Sequence, residues 1–150
     1  MTRDLTRSKD HDQYGASNPL TTTELHEFKA LLGEGKVMPG AFEDFLKRYN
    51  GGVFDECVFI DTQEGPVVAS TFFPVSSTAD ESINRQLAYF REEVGDQYLP
   101  FASDPGGNYF LLGCDPDNEG VVYYWNHETT RVFEVAGSFD GFLRGLVRDD

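Results

Sequence analysis

The chain has 150 residues, with 26 aspartate and glutamate residues against 12 lysine and arginine residues, and a formal net charge of −14 at pH 7. This length suits one domain, and a composition with 39% hydrophobic and 14% aromatic residues supplies enough apolar surface for one core. So negative a surface argues against direct nucleic-acid binding and favours a basic protein partner, although acidity that only maintains solubility explains the charge equally well.

The N-terminal segment is polar and resembles no targeting sequence. Residues 1–18 lack the apolar stretch of a secretory signal, and no run approaches the roughly 18 apolar residues of a membrane-spanning helix. We expect a cytoplasmic protein without membrane contact, with residues 1–18 as a flexible arm and residues 19–150 as one domain. Cys57 and Cys114 lie in apolar, strand-like runs, which favours reduced thiols and leaves a disulfide open.

Two helices open the predicted domain. Thr21 and Glu24 have the spacing of a capping box, and Gly33 ends the helix that follows. Pro39 suits the first turn of a second helix. The run Asn50-Gly51-Gly52 ends this helix with residues that tolerate positive φ, and we assign Asn50 a structural role at the helix terminus.

Strands dominate the rest of the chain. A helical stripe starts at Ile83, and Ser138 caps a final helix. The predicted strands cover residues 53–60, 67–73, 98–102, 108–114, 121–125 and 131–135, and the last three should form an antiparallel meander. The strand over 108–114 is apolar enough to be covered on both faces. This order predicts a single α+β domain in which helices pack against a mixed or mainly antiparallel sheet.

The loop after residue 114 has a calcium-like pattern. Asp115, Asp117, Glu119 and Gly120 occupy positions 1, 3, 5 and 6 of an EF-hand-like loop. Position 12 is Asn126 instead of a bidentate glutamate, and no helix precedes the loop. We therefore predict no metal site here, and interpret the loop as an acidic hairpin tip that is exposed to a basic partner.

Two further turns carry polar residues. The run from Asp104 to Asn108 has Pro-Gly-Gly turn chemistry, and its polar groups either cap backbone groups or face a partner. Trp125 belongs either to the core or to a binding surface, where aromatic residues are common anchors. His127 and Glu128 lie in the turn that follows. The predicted partner-binding residues are Asp104, Asp115, Asp117, Glu119, Trp125, His127 and Glu128.

No catalytic or cofactor-binding motif is evident in the sequence. A GxSxG elbow, an HExxH helix and a phosphate-binding loop do not occur. The three histidines are spread over separate segments. Cys57 or Cys114 paired with His127 remains possible in principle, and so does a carboxylate pair for glycoside chemistry. We predict that the protein is not an enzyme and needs no cofactor.

Four blocks of sequence form a recognisable set over about residues 20–147. They are Leu31-Leu32-Gly33 with Met38-Pro39, Phe42, Phe45-Leu46 and Tyr49-Asn50-Gly51-Gly52; Leu99-Pro100-Phe101-Ala102 with Asp104, Gly106, Gly107 and Asn108; Gly120-Val121-Val122-Tyr123 with Trp125 and His127; and Ser138-Phe139 with Phe142-Leu143. In this order the set resembles the SMI1/KNR4, or SUKH, superfamily. Met38-Pro39 replaces the usual Leu-Pro, and Gly35-Lys36 lengthens the approach to it, which affects only the expected loop geometry.

The resemblance implies an α+β fold with helices on a mixed or antiparallel sheet, and a binding role instead of catalysis. Bacterial members resemble immunity proteins that neutralise toxins, often nucleases, encoded beside them. Eukaryotic relatives act as scaffolds. We therefore expect an immunity protein that occludes a basic cognate toxin. The alternative is a regulatory scaffold that binds several cellular partners.

Overall fold

A computed structural model describes residues 20–76, 78 and 81–148, without the side chains of residues 54–57 and 148. The predicted arm of residues 1–18 and the Cys57 side chain lie outside the described residues. This part of the chain forms four helices and seven strands. The helices are α1 (Thr22–Leu32), α2 (Gly40–Arg48), α3 (Ile83–Glu93) and α4 (Phe139–Gly145). The strands are β1 (Gly52–Thr62), β2 (Gly65–Phe72), β3 (Tyr98–Ser103), β4 (Tyr109–Gly113), β5 (Val122–Asn126), β6 (Arg131–Ala136) and β7 (Val147–Arg148).

All seven strands belong to one antiparallel sheet in the order β6-β5-β4-β3-β2-β1-β7. The predicted meander of β4, β5 and β6 and the α+β class are thus confirmed. The register of β2 with β3 has only two pairs, Thr71 with Ser103 and Phe72 with Ala102. The β1–β2 hairpin therefore extends beyond β3, and Glu64 at its tip forms an ion pair with Arg131 at the start of β6. The tip of the β1–β2 hairpin therefore lies beside β6, the strand at the far edge of the sheet.

Side-chain caps begin three of the helices. The predicted capping box is present, since Thr21 Oγ1 accepts a hydrogen bond from the Glu24 N–H at 3.1 Å and Glu24 Oε1 accepts one from the Thr21 N–H at 3.2 Å. Ser82 and Ser138 cap α3 and α4 in the same way. Pro39 is the N-cap residue of α2 and directly precedes its first residue. The proline ring restricts the backbone φ angle at this position.

Phenylalanine rings from α2, α4 and the sheet meet in the main core. Phe101 of β3 packs edge-on against Phe42 of α2 at a centroid distance of 5.7 Å, and against Phe139 and Phe142 of α4 at 5.5 Å each. Edge-to-face packing is a favoured geometry for aromatic rings, and burying each ring contributes roughly 1.5–3 kcal/mol. This cluster holds α2 and α4 on one face of the sheet.

The other face of the sheet is covered by α3. Phe90 of α3 packs with Leu111 and Trp125 in a smaller cluster. The main core contains Phe110 and Leu112, the neighbours of Leu111 on β4. All three β4 residues are 0% exposed, which confirms that this strand is covered on both faces.

Asn50 connects the end of α2 to the segment that precedes α3. Its Oδ1 accepts a hydrogen bond from the Val75 N–H at 2.8 Å, and its Nδ2 donates to the Val75 carbonyl at 3.0 Å. The side chain is buried, at 7% exposure. Gly51 follows with φ of 95°, and a Cβ at this position would lie 3.0 Å from Pro74. The NGG run therefore joins two segments of the chain as well as ending a helix.

Replacing Asn50 by alanine should destabilise the protein by about 2–4 kcal/mol, because it leaves the buried N–H and C=O groups of Val75 without their partner. Urea denaturation followed by circular dichroism measures this change. Asp44→Ala is the control on an exposed position of α2, where we expect a change within about 0.5 kcal/mol. Equal midpoints for the two variants would contradict the proposed role of Asn50.

Candidate functional site

The residues predicted to bind a partner lie at two opposite ends of the meander. One group, on the β4–β5 loop, is Asp115, Asp117 and Glu119; the other, on the β3–β4 and β5–β6 turns, is Asp104, His127 and Glu128. Strands β4 and β5 have five residues each, so about 17 Å of strand separates the two groups. The seventh residue, Trp125, lies on β5 itself. The seven residues therefore do not form one continuous surface.

Trp125 belongs to the core. Its ring is 5% exposed, lies edge-on to Phe90 at 5.0 Å and is stacked with Tyr109 at 6.0 Å. An aromatic anchor needs exposed surface before binding, and this ring offers little. Of the two roles predicted for Trp125, the structure supports the core position.

Asp104 organises the β3–β4 turn. Its Oδ1 accepts hydrogen bonds from the Gly106 N–H at 2.8 Å and the Asn108 N–H at 2.9 Å. Its Oδ2 accepts from the Tyr124 hydroxyl at 2.6 Å and from Asn108 Nδ2 at 2.9 Å. Burial and the bond to Asp104 raise the pKa of Tyr124. Both carboxylate oxygens are therefore engaged within the protein.

His127 connects the two turns at this end of the sheet, which we call the turn end. The His127 N–H donates to Asn108 Oδ1 at 2.9 Å, and its Nε2 lies 3.0 Å from the Gly106 carbonyl. Glu128 is exposed beside it. The turn end is thus held together by internal hydrogen bonds, and Glu128 is its exposed carboxylate among the predicted residues.

Three loops meet at the opposite end of the sheet. The Val37 N–H donates to the Cys114 carbonyl at 2.7 Å, and the Cys114 N–H donates to the Gln97 carbonyl at 3.1 Å. Asn118 Nδ2 also donates to the Gln97 carbonyl, at 3.2 Å. Loops 33–39, 94–97 and 114–121 therefore form one surface, which together with the last turn of α3 we call the acidic end.

Lys36 lies at the centre of the acidic end. Its Nζ is 2.7 Å from Asp115 Oδ1 and 3.4 Å from Asp96 Oδ1, and its side chain is 13% exposed. The hydrogen bond to Asp115 raises the pKa of Lys36, and the contact with Asp96 adds to this increase against an opposing effect of burial. Asp115 is thus paired with a lysine from another loop, whereas Asp117 and Glu119 remain exposed as predicted.

Carboxylates outnumber cations at this end. Arg91, the second cation, donates from Nη2 to the carbonyls of Leu31 and Leu32, so it caps the end of α1. Lys36 thus pairs with two carboxylates of this end and Arg91 with backbone carbonyls, and the charge that remains exposed is negative. The carboxylates of the acidic end are Glu34, Glu92, Glu93, Asp96, Asp115, Asp117 and Glu119.

A pair of tyrosines adjoins the acidic end. Tyr98 and Tyr123 are half-buried and pack edge-to-face at a centroid distance of 4.9 Å. Burial raises the pKa of Tyr123, and a hydrogen bond with Asn118 opposes this change. Sequence reasoning placed Tyr123 on a strand face but missed Tyr98 and Lys36, since their contacts join distant segments of the chain.

The thiol of Cys114 is suited to packing instead of nucleophilic chemistry. Cys114 is buried, and burial raises its pKa to about 11, so the thiol is protonated at neutral pH. It directly follows β4, whereas His127 follows β5 at the turn end. The cysteine–histidine pairing considered for Cys114 is therefore absent from the described residues.

The described residues contain no group of three or more His, Cys, Asp or Glu side chains placed to hold a metal ion. Likewise, none of the helices assigned in this part of the chain has the length and apolar character needed to span a membrane.

Comparison with known proteins agrees with the fold and with the four sequence blocks. A family model described as SMI1 / KNR4 family (SUKH-1) matches residues 19–145. The chain belongs to the SMI1/KNR4 family. Membership supports an immunity-protein-like role in general, in a family whose domain is generally non-catalytic. The chain is also similar to the SPbeta prophage-derived uncharacterized protein YokK of Bacillus subtilis (strain 168), with 23% identity over 160 residues, 92% of this chain and 79% of that protein.

Replacing Gly113 by alanine should displace the β4–β5 loop. A Cβ there would lie 1.9 Å from the Asn118 carbonyl oxygen, a backbone atom that cannot move without the loop. We expect a loss of about 1–3 kcal/mol in stability, with amide chemical-shift changes concentrated in residues 114–121. Gly137→Ala is the matched control, since no atom lies within 4 Å of its Cβ. A similar stability for both variants would rule out this packing constraint.

Replacing Lys36 by methionine should remove a pH-dependent contribution to stability. The folded-state pKa of Lys36 is raised above 10.5, so the contribution is fully present below pH 10.5 and is lost as the pH rises through the folded-state pKa. We expect the variant to be about 1 kcal/mol less stable than the natural protein at pH 7–9, and this difference to shrink above pH 10.5. Urea denaturation across this pH range measures it. Lys47→Met is the control, because Lys47 pairs with Glu43 in a more exposed position, and it should lower the stability less. Equal losses of stability in the two variants would contradict the proposed contribution of the Lys36 ion pairs.

Proposed function

We propose that this protein is an immunity protein that binds a basic cognate toxin at the acidic end and neutralises it by occlusion. The observation that carries the proposal is the charge arrangement of that end. Seven carboxylates are gathered there with two cations, of which Lys36 pairs with Asp115 and Asp96 and Arg91 donates to backbone carbonyls at the end of α1. Membership in the SMI1/KNR4 family supports a role of this general type.

The negative charge of the acidic end favours fast encounter with a cationic surface. Complementary potentials raise association rates above the neutral range of about 10⁵–10⁶ M⁻¹s⁻¹, and salt weakens this effect. A toxin that acts on nucleic acid has a basic surface where the phosphates bind. An acidic protein that covers this surface excludes the substrate without any chemical step.

Tyr98 and Tyr123 supply the apolar part of the proposed contact. Tyrosine is enriched among the residues that contribute most to binding at interfaces, because it combines a large apolar ring with a polar hydroxyl. The edge-to-face contact between these two rings restricts their motion before the partner arrives. We therefore expect them to slow dissociation, as the aromatic anchors of the contact in place of the buried Trp125.

The loops of the acidic end are ordered by the protein's own hydrogen bonds. The bonds from Val37 to Cys114 and from Asn118 to Gln97 join all three loops. A surface that is already ordered loses less conformational entropy on binding. This arrangement supports tight binding without a change of fold.

Co-expression with the neighbouring gene tests the proposed function. The tagged protein should co-purify with that gene's product and should rescue growth when the product is toxic alone. Failure to bind or to rescue would remove the immunity role. Recovery of several unrelated cellular proteins, with no toxic partner, would favour the alternative of a regulatory scaffold.

Charge reversal distinguishes the acidic end from the turn end. Asp117→Lys should reduce the association rate with the partner about 3- to 10-fold at low salt and flatten its salt dependence, and addition of Glu119→Lys should increase both effects. Glu128→Lys makes the same charge change on an exposed residue of the turn end and should leave the rate nearly unchanged. Stopped-flow or surface plasmon resonance measurements supply these rates. A larger loss with Glu128→Lys would place the contact at the turn end instead.

A further inference from the structure

Strand β6 forms one edge of the sheet. In the described part of the chain it pairs only with β5, so the backbone N–H and C=O groups on its outer side are not paired with another strand. Tyr123 is opposite Glu134 and Val122 is opposite Ala136, which makes Val135 an extra residue in a β-bulge. Such an edge is a site where another chain can add a strand.

An open cavity lies beside this edge. It has a volume of about 440 Å³ and is lined by residues 61–63 of the β1–β2 hairpin and by Phe133, Glu134 and Val135 of β6. Phe133 and Val135 also pack against the main core. The ion pair between Arg131 and Glu64 joins the two walls near the start of β6. The edge of the sheet is therefore next to a cavity with a mainly polar lining, to which Phe133 and Val135 of β6 contribute apolar surface.

The charges around the cavity are mainly negative. Asp61 and Glu134 are exposed carboxylates on opposite walls, whereas the guanidinium of Arg131 is engaged with Glu64. This arrangement attracts a cationic segment. Because side chains alternate along a strand, a segment of alternating apolar and basic residues would place its two types of side chain on opposite faces.

We propose that the outer edge of β6 binds an extended, basic segment of a partner protein as an added strand. The segment's backbone pairs with β6, its apolar side chains enter the cavity against Phe133 and Val135, and its lysine or arginine side chains lie near Asp61 and Glu134. This contact is separate from the acidic end and does not require the partner to be a toxin. It gives the protein a second means of recognition, based on backbone pairing.

A second copy of this chain fits the edge less well than a basic segment. Each copy carries a net charge of −14. An antiparallel pair of β6 strands would bring Asp61 and Glu134 of both copies together, and like charges in contact are unfavourable. The charge of the site therefore selects a cationic partner.

Amide hydrogen exchange of the full-length, ¹⁵N-labelled protein tests the proposal. The probe is a synthetic octapeptide of alternating lysine and valine, and the control peptide has prolines in place of its two central valines. At low salt we expect the first peptide to slow exchange of amides within residues 131–136 at least 5-fold. The control peptide should not do so, because proline has no N–H to pair.

Two charge variants complete the test. Glu134→Lys should weaken the lysine–valine peptide's apparent affinity at least 5-fold, whereas Asp117→Lys at the acidic end should leave protection of β6 unchanged. Equal protection by the proline peptide, or protection at residues 114–121 without β6, would overturn the proposal. Slow exchange of all β6 amides without peptide would also overturn the proposal, because the edge would then already be covered. Protection that rises with protein concentration would identify a second copy as the cover, and constant protection would identify this chain itself.

Discussion

The burial of β4 on both faces is the constraint on which the remaining structure depends. Phe110 and Leu112 face the core beneath α2 and α4, whereas Leu111 faces α3. Helices therefore occupy both faces of the central sheet, and each face is held by aromatic rings that pack edge-to-face. The ends of the strands and the outer edge of β6 lie outside these two faces. Both proposed binding surfaces, the acidic end and this edge, lie there.

Local signals in the sequence predicted the helices and the meander, and the resemblance of four sequence blocks pointed to the SMI1/KNR4 family. The capping box at Thr21 and the serine cap at Ser138 succeeded because such caps depend on residues three positions apart. The seven predicted partner-binding residues stay a prediction, and the fold divides them between two ends of the sheet and β5. Asp115 and His127 are close in sequence, yet an extended strand carries one away from the other. The ion pair between Lys36 and Asp115 joins residues 79 positions apart, a contact that only the three-dimensional fold reveals.

Two smaller features also escaped the sequence pattern. Strand β7 has two residues and pairs with β1 through Val58 and Phe59, so it is too short to produce an alternating pattern. The burial of Trp125 depends on the helix that covers its face of the sheet, since the same strand bears the half-buried Tyr123 two residues earlier. Alternation predicts which residues share a face, but it does not predict how far a helix extends over that face.

The β4–β5 loop contains residues that fix its backbone and residues that are exposed to solvent. The close approach of Gly113 to Asn118 belongs to the first group. The backbone path of residues 114–121 depends on the missing side chain at 113 and on hydrogen bonds made by Asn118. Asp117 and Glu119 lie on either side of Asn118 in the sequence, and both are exposed to solvent. Residues 117 and 119 can therefore vary, and with them the charge of this exposed surface, while the backbone that presents them is kept.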